Sequence, residues 1–214
     1  MNYEIISTGS TGNAITLDRT ILLDCGVSYK RIKEIVPTLS LILLTHRHRD
    51  HLNGKTLKKL ASERPTLRFG CCGWLYDELT AYIPIHQIDV YEVGKKYSYG
   101  SWAICPVQLY HDVPQCGYRV YHNHEKAFFA TDTAHLEGIT AKEYDLYHIE
   151  ANYGEEEIKL REAAKRERGE FAYEARVPGR HLSREQASSF VLENAGEHSK
   201  VVFIHQHTDK EARK

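Results

Sequence analysis

Long apolar runs are missing from this chain. None exceeds four residues, as in Leu41-Ile42-Leu43-Leu44, whereas a membrane-spanning helix needs roughly 20. The polar start Met1-Asn2-Tyr3-Glu4 has no apolar core of the kind a signal peptide carries. A soluble, cytoplasmic protein with no membrane partner is expected. Excess charge is missing too: 28 basic and 29 acidic side chains leave a formal net charge of -1, so bulk charge announces no nucleic acid, and any such partner must be held locally. The five cysteines (Cys25, Cys71, Cys72, Cys105, Cys116) form an odd set without CxxC spacing, which implies neither a disulfide framework nor a thiolate zinc site, and they are expected to be reduced, mostly buried thiols. There are only six prolines, and no repeat, low-complexity tract or linker divides the sequence. A length of 214 residues suits one domain, taken as 1-214.

Histidine, in contrast, is abundant, with thirteen. Three fall within six residues in Thr45-His46-Arg47-His48-Arg49-Asp50-His51, directly after the apolar run. Histidines at i and i+2 leave a strand end on the same side, and the Asp-His pair that follows can turn toward an adjacent position. One loop can thereby supply two neighbouring divalent ions.

The pattern of elements gives this loop its context. Tyr3 to Ser7, Ala14 to Leu17 and Ile21 to Asp24 read as a meander with a tight turn at Gly9 to Asn13. Helices are predicted over Tyr29 to Val36, Lys55 to Ser62 and Cys71 to Tyr82, with strand Leu41 to Leu44 between the first two. Short strands dominate from Ile88 to Ala130 and are expected to form the second sheet of a two-sheet core. Strand Leu146 to Ile149, a charged helix Glu155 to Arg168, a helix capped by Ser183 and running to about Ala195, and strand Val201 to Ile204 complete the chain.

Further candidate ligands stand where these strands stop: Asp24, His111, Asp132 and His205. Singly, each is more often a turn former or a satisfied polar group. With the histidine loop they become a set able to converge at one sheet edge.

In order and character the series Leu23-Asp24-Cys25-Gly26, His46-Arg47-His48-Arg49-Asp50-His51, His111, Thr131-Asp132-Thr133 and His205 resembles the metallo-β-lactamase superfamily over nearly the whole chain. The resemblance implies an α/β fold, the four-layer αββα sandwich, and two divalent metal ions, zinc or manganese. It implies that His46, His48 and His111 hold one ion, that Asp50, His51 and His205 hold the other, and that Asp132 bridges them. Asp24 would stand behind the ligands and orient the loop. His207 is the alternative to His205.

Local features select a branch. The element His181-Leu182-Ser183 resembles the HxS element that nuclease members place beside the scissile phosphate. Ser7 to Asn13, His111 to Tyr118 and Ile149 to Tyr153 resemble the YycJ-type branch of small bacterial and phage members, associated with 5′-to-3′ DNA exonuclease activity. The chain departs from that branch at Tyr153, where histidine is expected after Asn152, and matches it only loosely over Glu155 to Arg180. A hydroxide bridging two ions about 3.5–4 Å apart is the expected nucleophile, positioned by Asp50 and Asp132. His181 is expected to donate to the phosphate or protonate the leaving oxygen. Arg180, Arg184 and Asn152 are the expected substrate-binding residues, with Arg47, Arg49 and Arg176 extending a basic rim. Two other readings stay open: a thioesterase of the glyoxalase II type, which needs neither His181 nor the arginines, and a metal- or nucleic-acid-binding scaffold without turnover. The oligomeric state is not written in the sequence.

Overall fold

The computed structural model describes residues 1–206, so His207 lies outside the described residues. The first sheet takes its strands in chain order: β1 (Tyr3–Ser7), β2 (Ala14–Leu17), β3 (Ile21–Leu23), β4 (Leu41–Leu43), β5 (Arg68–Cys72) and β6 (Ile88–Tyr91). The second does the same with β7 (Tyr97–Tyr99), β8 (Trp102–Leu109), β9 (Gln115–His122), β10 (Glu125–Ala130), β11 (Leu146–Glu150) and β12 (Lys200–Ile204). Among the described residues five α-helices connect them: α1 (Tyr29–Ile32), α2 (Gly54–Glu63), α3 (Tyr76–Thr80), α4 (Glu155–Glu167) and α5 (Arg184–Asn194).

The pleat explains the layering. Leu22 and Ile42 face outward and pack with Leu57 and Leu60 of α2, whereas Leu23, Leu41 and Leu43 face inward against Tyr118, Val120 and Phe129 of the opposite sheet. Across the second sheet, Phe128 and Ala130 face Ala187 and Phe190 of α5. Three cores between four layers are the expected αββα sandwich. Each such side chain contributes about 1.5–3 kcal/mol on burial, and strands covered on both faces read as unbroken apolar runs.

Pairing is parallel from β3 through β6 and from β10 through β12, and antiparallel elsewhere. The carboxyl ends of β3 and β4 therefore share one edge, as do those of β10, β11 and β12. Two antiparallel steps carry β8 back into the direction of β10, so its end joins them. Asp24, His46, His111, Asp132, Glu150 and His205 all lie at these ends.

Three expectations are corrected. Residues 71 and 72 are strand: Cys71 and Cys72 complete β5, buried and paired in parallel with β6, a 3-10 turn spans Gly73–Leu75, and the α-helix begins at Tyr76. Ile88–Tyr91 closes the first sheet instead of opening the second. The helix from Tyr29 stops at Ile32, with turns carrying the chain to Thr38. The capping prediction fits: Ser183 accepts from Gln186 N at 3.0 Å, and Gln186 Oε1 accepts from Ser183 N at 2.9 Å.

Candidate metal centre

The histidine loop begins on buried Thr45, whose backbone N and hydroxyl donate to Asp24 Oδ1 at 2.9 and 3.0 Å. Asp24 also accepts from His51 Nδ1, at 2.6 Å. It is fully buried, and burial raises its carboxyl above the usual range. It clamps both ends of the loop and turns the far nitrogen of His51 outward. Gly26 permits the loop's close approach, since a Cβ there would lie 1.7 Å from the Asp50 carbonyl oxygen.

His46 Nε2, His48 Nδ1 and His111 Nε2 meet, with separations of 3.1 Å between the first two and 3.3 Å between the last two. Hydrogen bonding elsewhere assigns the tautomers. His46 Nδ1 is 2.9 Å from Thr45 Oγ1, and His111 Nδ1–H donates to the Arg180 carbonyl at 2.7 Å. Lone pairs thus converge where no hydrogen bond can satisfy them all. The spacing matches the edge of a tetrahedron of zinc–nitrogen bonds, about 3.3–3.4 Å for bonds of 2.0–2.1 Å. Burial first, then nearby His51, holds His46 well below its usual pKa and keeps it neutral, the form that binds metal.

Asp132 stands beside this group. Its Oδ2 is 3.7 Å from His46 Nε2, 3.9 Å from His111 Nε2 and 3.2 Å from His51 Nε2, and Asp50 Oδ2 lies 3.5 Å from His51 Nε2. Two donor groups, His46-His48-His111-Asp132 and Asp50-His51-Asp132, therefore share one carboxylate. Burial pushes Asp132 up, but the charges and hydrogen bonds of His205 and His51 prevail and hold it well below the usual carboxylate range. The donor set, imidazoles with carboxylates, suits a pair of divalent cations.

His205 falls into a third group with Asp132, Glu150 and His181. Its Nδ1 hydrogen-bonds Asp132 Oδ1 and lies 3.5 Å from Glu150 Oε1. Burial opposes its protonation, yet these two carboxylates raise it to about 9. His181 Nδ1 donates to Glu150 Oε1 at 2.6 Å, and Glu150 Oε2 accepts from Thr133 N and Leu182 N. Burial works against His181 as well, and Glu150 outweighs it, raising the imidazole above its usual value.

The remaining predicted residues surround this edge. Arg180 pairs with Asp112 at 3.1 Å and Arg184 with Glu157 at 3.2 Å. Asn152 donates to the His205 carbonyl at 3.0 Å and borders the same cavity as Arg176, Arg180 and Arg184. Arg47 and Arg49 are exposed.

Sequence reasoning passed over three residues. Glu150 is fully buried at the end of β11, and the strand-end rule that selects Asp24 and Asp132 selects it too. Asp112 follows His111 and lies 3.4 Å from His48 Nε2 and 3.2 Å from His111 Nε2. Asn13 Nδ2 reaches His51 Nε2 at 2.8 Å, from a turn whose sequence carries no metal signal.

Known proteins are similar to this chain in sequence or in fold. Exodeoxyribonuclease WalJ of Streptococcus pneumoniae serotype 2 (strain D39) is 26% identical over 238 residues, covering 98% of this chain and 82% of the relative. Exodeoxyribonuclease YycJ of Bacillus anthracis is 23% identical over 175 residues, covering 75% and 66%. The metallo-β-lactamase fold protein YhfI from Bacillus subtilis superposes with a TM-score of 0.75 at 14% identity, over 99% of this chain and 89% of that one. The family model described as Beta-lactamase superfamily domain matches residues 19–205. With this match across most of its length and the two-sheet sandwich beneath its donor groups, the chain belongs to the metallo-β-lactamase superfamily of metal-dependent hydrolases.

Proposed function

We propose that this protein is a metal-dependent phosphodiesterase acting on DNA as a 5′-to-3′ exonuclease. The observation that carries the reading is the pairing of His181 with buried Glu150 beside Asp132 and His205, at the mouth of an arginine-bordered cavity. A thioester offers no phosphate for those arginines and a leaving thiolate that needs no proton. The names of the two exodeoxyribonucleases support the same choice.

His46, His48, His111 and Asp132 would hold one cation, and Asp50, His51, Asp132 and His205 the other. Bound there, two divalent cations supply a nucleophile at neutral pH and offset charge on the reacting phosphate. The chain's own groups do the rest. Asp24 and Thr45 fix the loop. Glu150 accepts the Nδ1–H hydrogen bond of His181 and favours its imidazolium form, whose Nε2 proton is given to the departing oxygen, leaving a neutral ring with Nδ1–H still on Glu150. Arg180 and Arg184 present guanidinium forks to phosphate oxygens.

Metal-stripped protein resupplied with manganese or zinc is to be tested on 5′- and 3′-labelled single- and double-stranded DNA. Release of 5′-terminal nucleotides first, lost in Asp50→Ala, is expected. No cleavage of any strand by protein that binds two cations would refute the reading.

A further inference from the structure

The segment Glu155 to Arg180, which departs from the YycJ pattern, builds something of its own. Together with the His181 edge of the centre it encloses a cavity of about 320 Å³, within the size range of small-ligand sites. Its lining joins His181, His205 and Asn152 to residues of α4 and of the 3-10 turn Tyr173–Arg176. The cavity therefore opens from the group proposed to serve the departing oxygen.

Its lining is chemically mixed in a useful way. Tyr153 and Tyr173 supply rings, and Arg180 and Arg184 supply guanidinium groups with 44% and 47% of their side chains exposed. Each arginine has five N–H donors, so a single carboxylate partner leaves it able to take a phosphate oxygen. Lys165 Nζ sits 4.1 Å over the Tyr173 ring but is not part of the lining. One face of that ring is covered by a cation, and Tyr173 itself lines the cavity. A second observation points to a ligand with hydrogen-bond donors. Glu174 is 3% exposed and borders the cavity; one carboxylate oxygen pairs with Lys165 at 2.6 Å, and Oε2 has no partner. Buried acceptors are rarely left so, and every nucleobase carries an N–H edge.

We propose that this cavity holds the terminal nucleotide of the strand, its base against Tyr173 and Tyr153 and its phosphate at Arg180 and Arg184. The inference takes its substrate class from the nuclease reading. Because the cavity begins at His181, its occupant is the nucleotide on the leaving side, and a pocket of this volume accounts for removal of one nucleotide at a time.

The test is calorimetric titration of metal-free protein with the four deoxynucleoside 5′-monophosphates and with deoxyribose 5-phosphate, which lacks the base. Stacking on an aromatic ring predicts that the nucleotides bind about 5- to 150-fold more tightly. Tyr173→Leu and, independently, the cavity-filling Val177→Trp are expected to abolish that ratio, and Arg184→Ala to weaken all five ligands together. Equal binding of deoxyribose 5-phosphate, or no binding of any ligand, overturns the pocket. The DNA cleavage assay separates the two ideas: metal-dependent cleavage with base-blind binding keeps the nuclease and rejects the pocket, whereas base-dependent binding without cleavage does the reverse.

Discussion

Glu150→Gln tests the link between a buried carboxylate and proton delivery. Glu150 is fully buried and accepts three hydrogen bonds, from His181 Nδ1 at 2.6 Å, Thr133 N at 2.8 Å and Leu182 N at 3.1 Å. Glutamine keeps the shape, but its NH₂ group must face at least one of these donors. A hydrogen bond to a charged group contributes about 1.5–3 kcal/mol, so a stability loss of about 2–3 kcal/mol is expected from denaturant unfolding. The effect on catalysis should depend on the leaving group. General acid catalysis is typically worth about 10²–10⁴-fold, and losing the carboxylate that orients and charges His181 should cost much of it on DNA, whose alkoxide leaving group needs a proton. On bis(4-nitrophenyl) phosphate, whose nitrophenolate departs unaided, the loss should be under about tenfold. His181→Ala should show the same split. Equal losses on both substrates would refute proton delivery and leave Glu150 a purely structural residue.

Three further outcomes follow from other parts of the molecule. His148 is fully buried, neither ring nitrogen has a hydrogen-bond partner among the described residues, and burial pushes its pKa down to about 3. Its unfolded value is about 6.5, so the stability it contributes is complete above pH 6.5 and lost as pH falls toward 3, at about 1.4 kcal/mol per pH unit. Urea unfolding of metal-free His148→Phe at pH 7 and pH 5 should show about 2 kcal/mol less acid destabilisation than the parent; parallel losses would count against it. Gly26→Ala places a Cβ 1.7 Å from the Asp50 carbonyl oxygen, so the loop must move, and calorimetry should show weakened binding of the cation assigned to Asp50 and His51. Zinc or manganese at 100 times its dissociation constant should stabilise the folded chain by about 2.7 kcal/mol per site, read as a rise in Tm that Asp132→Ala removes; no rise would contradict the donor groups.

What could be read in the sequence depended on whether the signal was local. Strand β4 and its histidine loop are contiguous, and an apolar strand covered on both faces announces itself. Asp24, His111, Asp132 and His205 follow from the ends of similar runs. Glu150 escaped because Leu-Tyr-His-Ile-Glu reads equally well as a strand with one polar face; its burial arises only from pairing with β12 and the return of His181 over it. Cys71 to Tyr82 has helical spacing of apolar residues, yet parallel pairing with β6 wins over that periodicity at its start. Asp112 and Asn13 gain their roles from partners on distant segments, His48 and His51.

Backbone conformation ties these observations together. Asp24 and His205 follow directly on β3 and β12, and Asp132 stands two residues after the end of β10; each adopts a left-handed conformation, with φ of 57°, 49° and 48° respectively. Such a residue costs about 1–3 kcal/mol, and glycine would relieve it. Nothing in the turns themselves demands these side chains, so the strain must be offset by what the side chains do. Asp24 holds the histidine loop, Asp132 joins the donor groups, and His205 bonds Asp132 from two strands away along the same edge. From these strand ends the three side chains reach His51 and one another: Asp24 and Asp132 lie 2.6 and 3.2 Å from the two nitrogens of His51, and His205 hydrogen-bonds Asp132. The same geometric device used three times, at three parallel strands, is how a fold with separate sheets concentrates imidazoles and carboxylates at one point.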